Sequence, residues 1–154
     1  MFENMDLSII IVNYNSGELL KDCLDSIYKN TKDIAFEVVI VDNKSTDNSL
    51  LMPKQIFKGT NLIENKCNLG FSKASNQGIK ASKGRYVLLL NPDTVVDLKG
   101  FKEMLEFMDL HQDIGIAGPK ILSSDGKIYM SCRSFLSLKD IFFTRDSLFT
   151  RLFP

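Results

Sequence analysis

Tryptophan is absent from this sequence, histidine occurs once, and cysteine occurs three times in 154 residues. The number of cysteines is odd, and no two of them form a C-x-x-C pair; they are Cys23, Cys67 and Cys132. This pattern argues against a disulfide framework or a zinc site and is typical of a reducing compartment. The single histidine, His111, has no evident catalytic partner, so we interpret it as a surface residue.

The sequence also lacks an excess of charge of one sign and has no long apolar run. Lys plus Arg number 19 and Asp plus Glu number 19, so no net field attracts nucleic acid or an acidic membrane. No apolar run approaches the roughly 20 residues that span a bilayer. The N-terminal residues carry two acids and no basic segment, unlike a signal peptide. We therefore expect a cytoplasmic protein that binds no nucleic acid and captures anionic ligands locally.

Several catalytic and nucleotide-binding motifs are missing as well. No G-x-G-x-x-G follows the first strand, and no P-loop or G-x-S-x-G elbow is present. A phospho-acceptor receiver domain would show an acidic cluster after its first strand, where this chain has Asn-Tyr-Asn. The stretch from Asn13 to Leu19 has no Lys or Arg, which disfavours a nucleotidyltransferase.

What is present is an alternation of strand and helix patterns. Strands are predicted at Leu7–Val12, Phe36–Val41, Asn61–Glu64, Tyr86–Leu90 and Ile114–Ala117, with a hairpin over Ile121–Met130 that turns at Asp125-Gly126. Helices are predicted after a Ser16 cap, from a Ser45 or Thr46 cap to about Phe57, over Phe71–Ala81, and after an Asp97 cap. This order predicts an α/β fold with a mostly parallel central sheet and helices on both faces.

Polar residues follow the three strong strands, at the edge where open parallel sheets bind ligands. They read Asn13-Tyr14-Asn15-Ser16, Asp42-Asn43-Lys44-Ser45-Thr46-Asp47 and Asn91-Pro92-Asp93-Thr94. Tyr14 can stack on a base, and Asp42 or Asn43 can bond its polar edge. Asp93 can partly hold a divalent cation that bridges a diphosphate. Each residue alone also suits a turn or cap, and we interpret Asp47 and Asp97 as helix-start residues.

The ordered motifs resemble glycosyltransferase family 2, which has the GT-A fold. The resemblance rests on Ser8-Ile9-Ile10-Ile11-Val12-Asn13-Tyr14-Asn15, Val39-Ile40-Val41-Asp42-Asn43-Lys44-Ser45-Thr46-Asp47, Asn68-Leu69-Gly70-Phe71, Asn76-Gln77-Gly78 and Leu88-Leu89-Leu90-Asn91-Pro92-Asp93. The Val-Asp-Asn and Asn-Pro-Asp variants are most similar to bacterial rhamnosyltransferase-like members that build surface polysaccharides. The match runs from about residue 6 to residue 120.

The resemblance implies a role for each matching position. The implied nucleotide- and sugar-binding residues are Val12, Asn13, Tyr14, Asp42, Asn43, Asn68, Gly70, Lys73, Asn76 and Asn91. Asn91 replaces the first carboxylate of the family's D-x-D motif, so Asp93 is implied as the main protein ligand to Mg²⁺ or Mn²⁺. Asn43 replaces the second residue of an acidic pair, which alters the expected base contact.

The resemblance also implies the chemistry. A UDP- or dTDP-linked sugar would be transferred, with inversion, to a glycan or lipid-linked glycan acceptor, with the metal stabilising the departing diphosphate. In the family a carboxylate base follows the hairpin, and no matching acidic motif lies between Ile121 and Pro154. The chain is therefore expected to end before the base segment. The alternative is a catalytically incomplete nucleotide-sugar-binding or assembly domain.

The chain is accordingly divided into a nucleotide-sugar-binding GT-A domain, residues 1–133, and a Phe-rich amphipathic segment of the same domain, residues 134–154. The segment is expected to dock on this domain or on a second subunit, as in a homodimer. Its basic residues also allow contact with a membrane surface, which would place the protein peripherally at the inner membrane face.

Overall fold

The computed structural model describes residues 5–57, 59–97, 100–123 and 125–129. The chain divides into two compact units, Met1–Ala117 and Gly118–Pro154. The predicted boundary at residue 133 and the predicted amphipathic segment 134–154 lie outside the described residues. Within the described residues, no helix has the length and apolar character required to cross a bilayer.

The first unit contains a four-stranded parallel sheet flanked by four helices. The strands are β1 (Leu7–Asn13), β2 (Phe36–Asp42), β3 (Asn61–Glu64) and β4 (Tyr86–Leu90), in the order β3-β2-β1-β4. The helices are α1 (Glu18–Asn30), α2 (Leu51–Ile56), α3 (Phe71–Ala81) and α4 (Gly100–Leu110). The predicted α/β class and parallel sheet are confirmed.

Alternate residues of the central strands face two separate apolar clusters. Ile9, Ile11, Val38 and Ile40 belong to a cluster that includes Leu20, Cys23, Leu24 and Ile27 of α1 and Leu105 of α4. Val39 and Val41 belong to the other cluster, with Ala74 of α3. A strand that is buried on both faces has a continuous apolar run, which explains the Ile-Ile-Ile and Val-Val-Ile-Val sequences. Helices on both faces are therefore confirmed.

Gly78 lets α3 lie close to the sheet. A Cβ atom at this position would lie 2.4 Å from Cγ2 of Ile10 and 3.3 Å from Cγ2 of Val41. Such distances are shorter than van der Waals contact, so a larger residue would push the helix outwards. The close approach places the N-terminal end of α3 beside the carboxyl end of β2, where Asn43 bonds to Gly70.

The predicted caps of two helices are wrong. α1 begins after Gly17, and Ser16 contributes only its carbonyl oxygen, which accepts from the Leu19 amide at 3.1 Å. α2 begins only at Leu51, with Leu50 at the cap position. Ser45 and Thr46 do not cap it because both bond to Asn15, in the loop after β1, instead.

The predicted strand at Ile114–Ala117 is also wrong, since these residues are not in a strand. The Ile114 amide donates to the His111 carbonyl at 3.0 Å, so the segment starts in a turn that closes α4. Gly115 provides no side chain for packing, and Ile116 is 93% exposed. The 114–117 segment is therefore apolar in sequence but does not pair with a strand of the sheet.

The described part of the second unit is a short antiparallel hairpin. Its strands are β5 (Ile121–Leu122) and β6 (Ile128–Tyr129). The Ser123 amide donates to the Lys127 carbonyl at 2.9 Å, and Gly126 has a φ of 78°, which glycine adopts without a steric penalty. The predicted hairpin is confirmed, although its strands are shorter than expected.

Candidate functional site

The four parallel strands of the first unit end at one edge of the sheet. The loop residues 14–17, 43–50, 65–70 and 91–97 follow β1, β2, β3 and β4 at this edge. β1 lies between β2 and β4, with Asn13 in register with Asp42 and Ile11 in register with Leu90. The predicted site residues are therefore on neighbouring elements, as the strand-end rule requires.

Asn13 and Asp42 form the polar centre of this edge. Nδ2 of Asn13 lies 2.7 Å from Oδ1 of Asp42 and 2.9 Å from the hydroxyl oxygens of both Ser45 and Ser49. Asn13 is fully buried and Asp42 is 3% exposed. Among the residues that the structure describes, nothing hydrogen-bonds to Oδ1 of Asn13. Buried polar groups are normally hydrogen-bonded, and the bonds from Nδ2 of Asn13 to Asp42, Ser45 and Ser49 therefore join the ends of β1 and β2.

Asp42 is held by donors from its own loop as well as by Asn13. The Ser45 hydroxyl donates to Oδ1 at 2.6 Å, and the Ser45 amide donates to Oδ2 at 2.9 Å. A carboxylate offers about four acceptor positions, so one position on Oδ2 is left for a further donor. The carboxylate is thus oriented before any ligand arrives.

Two loops at this edge are joined to each other. The Asn15 amide donates to the Ser45 hydroxyl at 2.9 Å, and the Thr46 amide donates to Oδ1 of Asn15 at 2.7 Å. Asn15 and Lys44 both have positive φ, 53° and 65°. Asparagine tolerates this conformation, whereas lysine there costs on the order of 1 kcal/mol. The surrounding hydrogen bonds offset that cost and give the loop one shape.

Asp47 completes the junction of the two loops. Its Oδ2 accepts from the Gly17 amide at 2.8 Å, directly before α1, and its Oδ1 accepts from the Ser49 hydroxyl at 2.5 Å. The Ser49 hydroxyl, followed by the backbone amides, holds the pKa of Asp47 below its usual value. The prediction that Asp47 starts a helix is therefore wrong, since α2 begins after Leu50; Asp47 instead anchors the residue that precedes α1.

Tyr14 and Val12 lie on either side of Asn13. Tyr14 is 52% exposed, so its side chain is accessible to a ligand. Val12 is half-buried and packs against the cluster of Val39, Val41 and Ala74. Stacking of a base on Tyr14 stays a prediction.

Asn43 bonds to the loop that follows β3. Its Oδ1 accepts from Nδ2 of Asn65 at 3.1 Å and from the Leu69 amide at 3.4 Å, and its Nδ2 donates to the Gly70 carbonyl at 3.3 Å. Asn43 is 3% exposed. Its side chain therefore positions backbone, and direct contact with a base stays a prediction.

The four residues predicted to approach the diphosphate or sugar lie together on the 68–76 segment. Oδ1 of Asn68 accepts from the Gly70 amide at 2.8 Å. Gly70 has φ 78° and ψ 166°, a region that is essentially restricted to glycine. Lys73 and Asn76 are exposed on α3, which has no side-chain cap at its N-terminal end. The first turn of α3 therefore presents free N–H groups and a lysine.

Asn91 and Asp93 lie in the turn after β4, and both are exposed. The Thr94 amide donates to the Asn91 carbonyl at 3.2 Å, and the turn is anchored where the Val96 amide donates to the Ser26 hydroxyl at 3.0 Å. Within the described ranges, no three His, Cys, Asp or Glu side chains lie close enough to enclose a metal ion. A single exposed carboxylate nevertheless suits Mg²⁺, which is commonly held by one or two carboxylates, waters and substrate phosphates.

Cys23 lies beneath this turn and is not available for chemistry. Its Sγ is 3.7 Å from the Asn91 carbonyl oxygen. Burial, with a smaller contribution from the negative charge of Asp93, raises the pKa of the Cys23 thiol to about 12. The protonated thiol is a poor nucleophile and a poor metal ligand.

Four residues of this edge were not in the predicted set: Ser45, Ser49, Asn65 and Gln77. Ser45 and Ser49 bond to Asn13, and Asn65 joins Asn43 to Gln77. Asn65 directly follows β3, so the strand-end rule applied to this weaker strand would have found it. Gln77 lies in a helix interior, and its place in the Asn76-Gln77-Gly78 motif does not indicate its bond to Asn65.

Two cavities of about 340 and 350 Å³ lie elsewhere in the first unit. One is lined by residues around Thr31 and Phe101, and the other by β4, α4 and the 115–117 segment. Neither is lined by a predicted site residue. The candidate site is therefore the open carboxyl edge of the sheet.

The family described as glycosyl transferase family 2 matches residues 8–150. This chain belongs to glycosyltransferase family 2. The match includes all four loops at the carboxyl edge, so the family assignment and the site concern the same residues.

Two bacterial relatives show what kinds of protein share this sequence. The minor teichoic acid biosynthesis protein GgaB of Bacillus subtilis is 33% identical over 131 residues, which are 80% of this chain and 14% of GgaB. A poly(ribitol-phosphate) β-glucosyltransferase of Bacillus spizizenii is 33% identical over 128 residues, which are 79% of this chain and 20% of that protein. The chain thus spans no more than a fifth of either relative.

Solved structures agree with the fold. Staphylococcus aureus TarS 1–349 in complex with UDP-GlcNAc has a TM-score of 0.62 and 31% identity, over 70% of this chain and 32% of that one. A mannosyltransferase from Pyrobaculum calidifontis, in complex with GDP-Man and Mn²⁺, has a TM-score of 0.63 at 22% identity and supports the fold alone. The GT-A fold predicted for this family 2 chain is confirmed.

Proposed function

We propose that this family 2 chain binds the donor of a glycosyltransferase reaction, a UDP- or dTDP-linked sugar, through Mg²⁺ or Mn²⁺. The sugar would pass with inversion to a glycan or lipid-linked glycan acceptor. The observation that carries the proposal is the pre-oriented Asp42 carboxylate at the carboxyl edge. The neighbouring strand β1 leads to the exposed Tyr14, and β4, beyond it, leads to the turn that carries Asp93.

The nucleobase is recognised by the Asp42 carboxylate, an acceptor that its neighbours already hold in place. Asp42 has one acceptor position left after its bonds to Asn13 and Ser45. Uracil and thymine present an imide N–H donor, whereas cytosine presents an acceptor nitrogen at the same position. A buried acceptor that faces another acceptor is left unpaired at a cost of about 1–3 kcal/mol. The site therefore favours UDP or dTDP over CDP.

The diphosphate is held between two elements. Asp93 would provide the protein carboxylate of the metal, and Asn91 lies in the same turn. The metal, when bound, would act as a Lewis acid on the departing diphosphate. The uncapped first turn of α3 offers N–H groups, and Lys73 offers a positive charge, at the start of the same helix. The metal, the N–H groups and Lys73 are all matched to the negative charge of the diphosphate.

Calorimetry with UDP, dTDP and CDP, each in the presence of Mn²⁺, tests whether Asp42 recognises the nucleobase. We expect UDP and dTDP to bind at least tenfold more tightly than CDP, which corresponds to about 1.4 kcal/mol. Equal affinity for CDP would remove Asp42 from base recognition.

Assays of donor hydrolysis and sugar transfer, with metal present, separate an active enzyme from the alternative, a binding or assembly domain that lacks the catalytic base.

A further inference from the structure

An unbroken row of side-chain amides runs from the end of β2 to the middle of α3. Asn43 bonds to Asn65, as described above, and Asn65 and Gln77 bond to each other twice. Nδ2 of Asn65 donates to Oε1 of Gln77 at 2.8 Å, and Nε2 of Gln77 donates to Oδ1 of Asn65 at 2.9 Å. We call Asn43, Asn65 and Gln77 the amide row.

The orientation of the amide row is set by the backbone at one end. The Leu69 amide can only donate and the Gly70 carbonyl can only accept, so Asn43 must direct Oδ1 to the first and Nδ2 to the second. Asn65 must then direct Nδ2 to Asn43, and Gln77 must direct Nε2 to Oδ1 of Asn65. Reversing one amide would oppose two like groups, so the row has one satisfied arrangement.

The row encloses the segment that carries the predicted donor residues. Asn65 precedes the loop, and its own amide is anchored on the Asp42 carbonyl at 2.9 Å. Gln77 lies on α3, beyond the segment. Between these two anchors lie the predicted donor residues Asn68, Gly70, Lys73 and Asn76. The loop and the first turn of α3 are thus fixed by contacts that need not touch a ligand.

We infer that Asn65 and Gln77 are positioning residues for the diphosphate-sugar half of the donor site. The inference rests on the proposed function and adds two residues to it. They act through Asn43 on the Leu69 amide and the Gly70 carbonyl, and so on the groups that face the diphosphate. In the proposed function the base is bound by Tyr14 and Asp42, and the side chains of the row hydrogen-bond to neither residue.

A comparison of UMP with UDP distinguishes this role from a general loss of structure. Asn65→Leu and Gln77→Met remove the amides while retaining similar volume. We expect each variant, in Mn²⁺, to bind UDP about five- to tenfold more weakly, from the loss of one or two hydrogen bonds, and to bind UMP within twofold of the unmodified chain. The double variant should lose little more than either single variant, because the two residues act as one unit.

Gln55→Ala, at an exposed glutamine on α2, is the matched control and should leave both affinities unchanged. Equal weakening of UMP and UDP in the variants, or unchanged UDP affinity, would overturn the positioning role. Failure of the unmodified chain to bind UDP would instead contradict the proposed function.

Hydrogen exchange of the unmodified chain and its variants provides a readout without ligand. In Gln77→Met, exchange at the Leu69 amide should be at least tenfold faster, while the amides of β1 and β2 keep their rates. Unchanged exchange at Leu69 would show that the row does not hold the loop, whatever the nucleotide affinities are.

Discussion

Asn13 is a buried polar residue at the carboxyl end of an apolar strand. The preceding residues of β1 are mostly buried and aliphatic, and Nδ2 of Asn13 lies within hydrogen-bond distance of the buried Asp42 carboxylate and of two serine hydroxyls. The residue types after β1 and β2 predicted that the two loops share a site. They did not predict that the carboxylate would be bonded internally, because such pairing depends on register between strands.

Replacing Asn13 by leucine should destabilise the fold. The variant keeps the volume and removes a donor from a buried carboxylate, which costs about 2–4 kcal/mol since charged groups lose more than neutral ones. The free energy of unfolding from urea titration measures this. Asn61→Leu, at an exposed position in β3, is the control and should change stability by less than about 0.5 kcal/mol. A loss below about 1 kcal/mol for Asn13→Leu would show that the cluster is not structurally important.

Asp47 should contribute a pH-dependent part of the stability. Its folded-state pKa is lowered, chiefly by the Ser49 hydroxyl, so the ionised form is favoured by folding. The contribution is present above the unfolded pKa, near 4, and is lost as pH falls through the lower folded value. It should be small because the carboxylate is exposed to solvent.

Asp47→Asn should therefore destabilise the protein at pH 7 and have less effect near pH 3, as measured by urea unfolding at both pH values. Asp113→Asn, at an exposed acid beyond α4, is the control for the general effect of charge removal. An equal loss of stability at both pH values would show that ionisation of Asp47 makes no contribution.

At the scale of elements, the sequence predicts best where apolar spacing decides the structure. α3 has the predicted bounds, Phe71–Ala81, and the predicted strand Asn61–Glu64 is also found. The start of α2 was missed because Ser45 and Thr46 serve the loop after β1 rather than the helix that follows them. A cap residue has the same sequence signal in both roles, so only the tertiary structure separates them.

Gly78→Ala tests the close packing of α3 on the sheet. The new Cβ would lie 2.4 Å from Cγ2 of Ile10, and we expect a loss of about 1–3 kcal/mol despite the better helix propensity of alanine. Gly100→Ala, in α4, is the control, because its Cβ would meet no atom within 4 Å. Thermal and urea unfolding measure both changes. Unchanged or increased stability of Gly78→Ala would mean that α3 moves without cost.

At the scale of the whole molecule, the parallel order of the strands converts scattered motifs into one site. Short polar sequences that are separated by dozens of residues start at neighbouring strand ends. The order of the motifs was sufficient to predict the family and the edge. It was insufficient for the amide row, since Asn65 follows a weak strand and Gln77 is inside a helix. Such cross-element hydrogen bonds depend on three-dimensional contacts rather than on local pattern.

The central claim is that this edge binds a nucleoside diphosphate through a divalent cation held by Asp93. Calorimetry of UDP binding with and without Mn²⁺, to the unmodified chain and to Asp93→Ala, tests it most directly, with Asp113→Ala as the control. We predict that Mn²⁺ strengthens UDP binding at least tenfold in the unmodified chain and the control, and has no effect in Asp93→Ala. An equal effect of Mn²⁺ on all three proteins would contradict the assignment of Asp93 and, with it, the metal site.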